Sequence, residues 1–243
     1  LQGQPLKCAT RKTKAVIAVH YGGCPCRIRE IRKIAAGKKW FLIEDAAEAF
    51  GASSGGKLLG SFGDCGIFSF CQSKIITTGE GGCVVTARSA VSEKLRRIRS
   101  LREADKVLAI SPRVWPGSGF NLRMSSVSAA LGVSQMEKVR RNISERRKAA
   151  ESLVRKLSGI SGITLPDVLF NPANIYQMFP VLVKGNARDR LKEHLRKQGI
   201  DSRVYFNASH RSPFFVSRMG RPRRKLPVSE ALSREVLCLP VYP

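Results

Sequence analysis

The runs Val16-Ile17-Ala18-Val19 and Trp40-Phe41-Leu42-Ile43 decide the fold class. Each is a short, continuous apolar stretch with the length and composition of a buried strand. Between them a Gly22-Gly23 turn opens into a helical pattern, from about residue 27 to 36, that sets Ile28, Ile31 and Ile34 on one face. Strand, helix, strand at this spacing predicts a parallel βαβ unit, and so an α/β layered domain.

Further along, residues 67–70 and 83–86 read as strands separated by a loop rich in threonine and glycine, and residues 125–157 read as helix with a break near Arg141. After Pro166 the pattern becomes a strand at 178–183, an amphipathic helix at 187–197 and a strand at 202–206. That is a smaller α+β unit, and the boundary is placed near residue 140, giving units of 1–140 and 141–243. No internal repeat or low-complexity segment interrupts this. The chain starts without Met on what reads as the tail of a helix, and stops at Leu239-Pro240-Val241-Tyr242-Pro243 with no closing element. It is expected to be a fragment.

The 243 residues suffice for a substantial core. No run of about eighteen apolar residues and no signal-peptide pattern occurs, so the expectation is a cytoplasmic protein that does not engage a membrane. Seven cysteines form an odd set, several of them inside apolar runs (Cys83-Val84-Val85, Leu237-Cys238-Leu239), and read as reduced, structural thiols. Cys24-Pro25-Cys26 has no second Cys/His pair near it and matches no zinc spacing; no metal is expected. The 43 Lys and Arg outnumber 18 Asp and Glu for a formal charge of +25. The denser stretches are Arg140, Arg141, Arg146 and Arg147 in a helical pattern, and Arg218, Arg221, Arg223, Arg224 and Lys225 in a proline-containing loop. Without interleaved aromatics or a nucleic-acid motif they read as a solvated surface, and no specific nucleic acid is expected.

The chemistry lies between Glu44 and Thr86. Asp45 closes an apolar run, which places its carboxylate at the carboxyl edge of a parallel sheet, where α/β folds bind ligands and where it can hold a positively charged ring nitrogen. Lys74 follows Phe68-Ser69-Phe70-Cys71-Gln72-Ser73 and precedes Thr77-Thr78-Gly79-Glu80-Gly81-Gly82, whose glycines let the backbone bend sharply. A lysine so placed can serve as a covalent amine, but it attacks a carbonyl only when neutral, which calls for desolvation or nearby positive charge. On the residues alone, ordinary readings stand beside these: a solvated lysine, and an aspartate that caps a helix.

In order and spacing, Glu44-Asp45-Ala46-Ala47-Glu48-Ala49-Phe50-Gly51, Gly60-Ser61-Phe62-Gly63-Asp64, Phe68 through Lys74 and Thr77 through Gly82 resemble the DegT/DnrJ family of sugar aminotransferases. Gly119-Phe120-Asn121-Leu122-Arg123-Met124 and Leu239-Pro240-Val241-Tyr242-Pro243 resemble later motifs of that family, so the likeness spans almost the whole chain. It implies the aspartate-aminotransferase fold (fold type I): a large domain with a mostly parallel sheet that binds pyridoxal 5'-phosphate, here residues 1–140, a smaller α+β carboxyl-terminal domain, here 141–243, and a homodimer with shared active sites. It implies that Lys74 carries pyridoxal phosphate covalently, that Asp45 pairs with the pyridinium nitrogen, and that Glu48 contacts the ring near its phenolic oxygen. Ser69 would donate to the cofactor phosphate, and Asn121 would reach the phosphate of the other subunit's cofactor. Glu48 stands where the family often has Gln and, with Trp115, resembles the perosamine-synthase branch. A phosphate-binding loop that family members carry upstream is missing from this chain, which puts the activity of the chain as given in doubt.

His210, in Tyr205-Phe206-Asn207-Ala208-Ser209-His210, matches a loop that approaches the sugar substrate in the family. His194 reads as a surface residue. His20 is open between approaching the cofactor and packing at a strand end. The implied reaction takes an amino group from glutamate and places it on a keto group of a nucleotide-linked deoxysugar, at C4 in the perosamine-synthase branch. The family's dehydratase branch has His at the lysine position, and Lys74 argues against it. A rival from another class is a non-catalytic basic protein that has kept the fold and binds nucleic acid or anionic surfaces through its charge.

Overall fold

The computed structural model describes residues 9–100, 119–220 and 225–242. Cys8, Trp115, Arg221, Arg223 and Arg224 lie outside the described residues. The chain divides into two compact units, 1–140 and 141–243.

In the first unit the order is β1 (Ala15–Val19), α1 (Ile28–Lys38), β2 (Phe41–Asp45), a short hairpin of β3 (Ser53–Ser54) and β4 (Lys57–Leu58), β5 (Cys65–Ser69), β6 (Gly82–Val85) and α2 (Ser89–Arg99). The main sheet has the order β1-β2-β5-β6. β1, β2 and β5 are parallel, with Ile17 opposite Ile43 and Asp45 opposite Ile67, whereas β6 runs antiparallel to β5. The parallel βαβ unit expected from the two apolar runs is present.

Alternation along the strands separates the two faces. Ala18, His20, Leu42 and Glu44 are buried, and α1 packs on β1 and β2 through its buried Ile28 and Ala35. Burying an Ile completely is worth roughly 1.5–3 kcal/mol relative to leaving it in water. On the other face Ile17, Val19, Ile67 and Val84 are exposed. Helix α1 ends in a Schellman arrangement: Trp40 N–H donates to Ala35 O (2.9 Å) and Lys39 N–H to Ala36 O (3.1 Å), with Lys39 itself left-handed at φ 56°. This turn delivers the chain directly into β2.

In the second unit β7 (Ile163–Thr164), β8 (Phe179–Val183) and β9 (Val236–Leu239) form an antiparallel sheet of order β7-β8-β9, accompanied by α4 (Arg188–Lys197), α5 (Pro213–Met219) and α6 (Pro227–Glu235). Phe179, Val181, Val183, Leu237, Leu169 and Ala150 make its core. Tyr176 OH donates to Leu169 O (2.9 Å), and Arg146 Nη1 donates to Val241 O (2.6 Å) and Tyr176 O (3.1 Å), pinning the end of the chain to this core.

Two expectations change. The long helix, α3 (Ser126–Leu157), runs without a break at Arg141. No Gly or Pro stands near that position, and Ile143 continues the buried pattern. Residues 202–206 do not form a strand; Arg203 alone pairs with Cys238, its N–H donating to Cys238 O (3.0 Å) and its O accepting from Cys238 N–H (2.7 Å). Among the described residues no helix is long and apolar enough to cross a membrane.

Helix ends account for part of the scattered basic charge. Arg96, Arg97 and Arg99 close α2, Arg155 and Lys156 close α3, and Arg196 and Lys197 close α4, where cations meet the negative end of the helix dipole.

The tightest crossing of backbone needs glycine: a Cβ on Gly66 of β5 would overlap the Gly60 backbone, which cannot move aside as a side chain could. Gly66→Ala is expected to destabilise the protein by about 1–3 kcal/mol. Gly37→Ala, in open space near the end of α1, is expected to stabilise it by up to about 1 kcal/mol. Urea midpoints of the two variants check the contrast, and equal midpoints would refute it.

Candidate active site

The carboxyl edge of the parallel strands is organised by a buried charge. The Glu44 carboxylate, fully buried near the end of β2, accepts from His20 Nε2 (3.1 Å), from the Gly60 N–H (2.9 Å) and Gly63 N–H (2.6 Å), and from the Phe62 N–H. His20, equally buried, accepts from the Cys26 N–H at Nδ1 (3.3 Å). An amide can only donate, so Nδ1 carries no proton and the ring hydrogen sits on Nε2, directed at Glu44. Burial by itself would raise the Glu44 pKa, but the His20 bond and the three amides outweigh it and hold the carboxyl below its ordinary value. Burial, and then the Glu44 charge, push the neighbouring Cys26 thiol up to about 11.

Asp45 ends β2 on the opposite side of the pleat. Its Oδ1 accepts from the Ala47 N–H (3.1 Å), and its backbone O accepts from the His20 N–H (3.0 Å). Three residues on, Glu48 makes two contacts with its two oxygens: Oε2 accepts from the Gly22 N–H (2.8 Å), and Oε1 accepts from Lys74 Nζ (3.2 Å). Lys74 and Glu48 are both largely buried, at 16% and 22% side-chain exposure. Burial supplies the desolvation expected around the amine, but its charged neighbour is a carboxylate and not a cation.

The segment that carries Lys74 is held at both ends. Phe70 N–H donates to Gly81 O (2.9 Å), Thr78 N–H to Phe70 O (2.9 Å) and Lys74 N–H to Cys71 O (3.1 Å), while Ile75 and Ile76 are buried beneath it. Ser69 is the last residue of β5, on the same sheet face as Asp45, and its Oγ accepts from the Cys71 N–H (3.4 Å). The Ser73 hydroxyl and amide lower the Cys71 thiol pKa.

The structure therefore brings Asp45, Glu48, Ser69 and Lys74 to one edge of one sheet. It does not bring Asn121 into contact with them: Asn121 is exposed, and its Oδ1 accepts from Arg123 Nε (3.4 Å). Met124 of the same segment does approach the glycine loop, at Gly81. His210 belongs to the second unit, where its Nε2 meets Glu230 Oε1 (3.3 Å) and Arg211 meets the other Glu230 oxygen (3.4 Å). His194 is exposed on α4. His20 is a packed strand-end residue. The sequence reading passed over Gly22 and Glu44 as chemistry. The signals for them were a glycine pair three residues after a strand and two glycines spaced to turn their amides onto a strand-end carboxylate.

The model of the DegT/DnrJ/EryC1/StrS aminotransferase family matches residues 7–243, and the chain belongs to that family. It is 34% identical over 238 residues to the GDP-perosamine synthase of Escherichia coli O157:H7, covering 96% of this chain and 62% of that protein. Helicobacter pylori PseC, an aminotransferase involved in the biosynthesis of pseudoaminic acid, superposes with a TM-score of 0.87 at 25% identity, over 97% of this chain and 63% of that one. The E. coli GDP-4-keto-6-deoxy-D-mannose-3-dehydratase, solved with bound hydrated pyridoxal phosphate, superposes with a TM-score of 0.82 at 27% identity, over 97% and 64%. The chain spans less than two thirds of the length of these relatives.

Glu44 gives the fold an acid limit with a definite sign. Its folded pKa lies below the unfolded value, so its contribution to stability is fully present above about pH 5 and is lost as pH falls through the lowered folded value. Melting temperature should fall as pH is lowered below about 5 in the wild type and fall less in Glu44→Gln, which has no carboxyl to protonate. Parallel acid limbs in the two proteins would refute this.

Proposed function

We propose that this chain carries the cofactor-holding core of a pyridoxal-phosphate-dependent aminotransferase that moves an amino group from glutamate to a keto group of a nucleotide-linked deoxysugar. The supporting observation is the Lys74 amine held 3.2 Å from Glu48 at the same carboxyl edge where β2 ends on Asp45. Amination at C4, as the likeness to GDP-perosamine synthase suggests, is the finer part of the reading. A homodimer with shared sites in the cytoplasm completes it, with Asn121 serving the cofactor of a second copy and His210 the sugar.

The residues present suit this cofactor: one amine for its aldehyde, one carboxylate for its ring nitrogen, and a hydroxyl at Ser69 for its phosphate. Bound there, it would supply an electron sink for amino-group chemistry. Lys74 would hold it covalently and, when released, move protons as general acid and base. Glu48 Oε1 is within reach of the proton that Lys74 must give up to react as a neutral amine. Asp45 would hold a proton on the ring nitrogen, and its anionic charge is what a neutral substitute lacks. A dehydratase is the family's other chemistry, and the lysine at position 74 argues for amino transfer.

Borohydride reduction of the full-length protein loaded with pyridoxal phosphate, followed by peptide mapping, should place the label on Lys74, and Lys74→Ala should lose both label and amino transfer. A label on another lysine would sink the assignment. Asp45→Asn should keep the cofactor and its visible absorbance while transfer slows by about a hundredfold or more. Wild-type turnover in that variant would make Asp45 a purely structural residue.

A further inference from the structure

We infer that His20 and Glu44 are positioning residues for the Lys74 amine, acting through the turn that presents the Gly22 N–H to Glu48. The inference rests on the transaminase reading of Lys74 and adds to it two residues that touch neither cofactor nor substrate.

The path is continuous in hydrogen bonds. Glu44 fastens the 60–63 loop and the end of β1 to β2 through three amides and His20. His20 closes residues 20–26 on themselves by accepting from the Cys26 N–H (3.3 Å), and the same turn is tightened by Cys24 N–H donating to Tyr21 O (3.2 Å). Inside it Gly22 is left-handed (φ 66°), so its amide leaves the usual strand or helix direction and points to Glu48 Oε2 (2.8 Å). With one oxygen anchored there, Glu48 has its other oxygen set on Lys74 Nζ (3.2 Å).

The arrangement has features that packing alone does not explain. A buried imidazole and a buried carboxylate each cost desolvation, and apolar residues of similar shape would fill the same space without it. What apolar residues cannot do is fix the direction of a turn. The single tautomer that Cys26 imposes on His20 makes the Nε2 hydrogen point one way only, so the turn, β2 and the loop lock in one register. Asp45 is held by the same strand pairing, since its carbonyl accepts from the His20 N–H (3.0 Å).

The test compares His20→Leu, His20→Gln and Glu44→Gln with the wild type in the full-length, cofactor-loaded protein. The first readout is amide hydrogen exchange: Gly22 and Gly60 should exchange at least about tenfold faster in His20→Leu and Glu44→Gln, with Val181 of the second unit unchanged. The second is the kinetic split. The rate constant for amino transfer should fall roughly tenfold to a hundredfold while KM for both substrates stays within about twofold, because an amine displaced by a fraction of an ångström loses rate, not binding. His20→Gln, which can still donate toward Glu44, should recover part of both, and it carries the comparison if His20→Leu does not fold. Variants that melt earlier yet exchange at Gly22 and turn over like the wild type would overturn the inference and leave His20 and Glu44 as core residues. A wild-type protein without label on Lys74 would instead defeat the transaminase reading, and the exchange comparison would still decide whether His20 and Glu44 set the Gly22 turn.

Discussion

A carboxylate with no exposure to water is the constraint on which the first unit depends. An isolated buried anion is costly by several kcal/mol. Glu44 is tolerable because four donors converge on it: one imidazole from just after β1 and three backbone amides from the single loop before β5. Each charge-assisted bond contributes more than a neutral one, yet the larger consequence is geometric. Any loop conformation that withdraws one of these amides leaves a charged acceptor short of a partner in a dry interior. The loops after β1 and before β5 therefore have one conformation available to them.

Glycine makes the convergence possible. Gly60 lies against the Phe68 ring and next to Gly66, where a side chain on either would strike its neighbour, and Gly63 presses on the backbone of Leu42. These close approaches bring the amides of residues 60–63 within reach of a strand-end carboxylate. The same economy appears at Gly22, whose left-handed conformation turns an otherwise unused N–H toward Glu48. Burial of the strands supplies the cohesion, while polar groups at the carboxyl edge supply direction, and direction is what the chemistry proposed for Lys74 and Asp45 requires.

The formal charge of +25 is a property of the surface more than of this edge. Helix α1 turns Arg29, Arg32, Lys33 and Lys38 to solvent, and α2, α3 and α4 each finish on cations that complement the helix dipole. Within the described site the one ammonium is that of Lys74, and it faces a carboxylate. Surface cations of this kind act on a small anionic substrate mainly through long-range attraction, which salt screens.

Two apolar runs separated by a helical pattern were enough to read the parallel βαβ unit, because buried strands and amphipathic helices write their periods into the chain locally. The strand-end position of Asp45 and the loop position of Lys74 were legible for the same reason. Residues 202–206 misread as a strand because β-like composition says nothing about whether a partner strand stays alongside, and only Arg203 finds one. The break expected near Arg141 failed because nothing local ends the helix there. Local pattern thus determined the parallel βαβ unit and the long helix and placed a lysine and an aspartate at one edge. Tertiary structure alone decided that Glu48 meets Lys74 across 26 positions of sequence, that Gly22 reaches Glu48 across 26 more, and that His20 meets Glu44 across 24. Such contacts depend on which loops the buried charge of Glu44 gathers, and that is a matter of distance in space that no window along the chain contains.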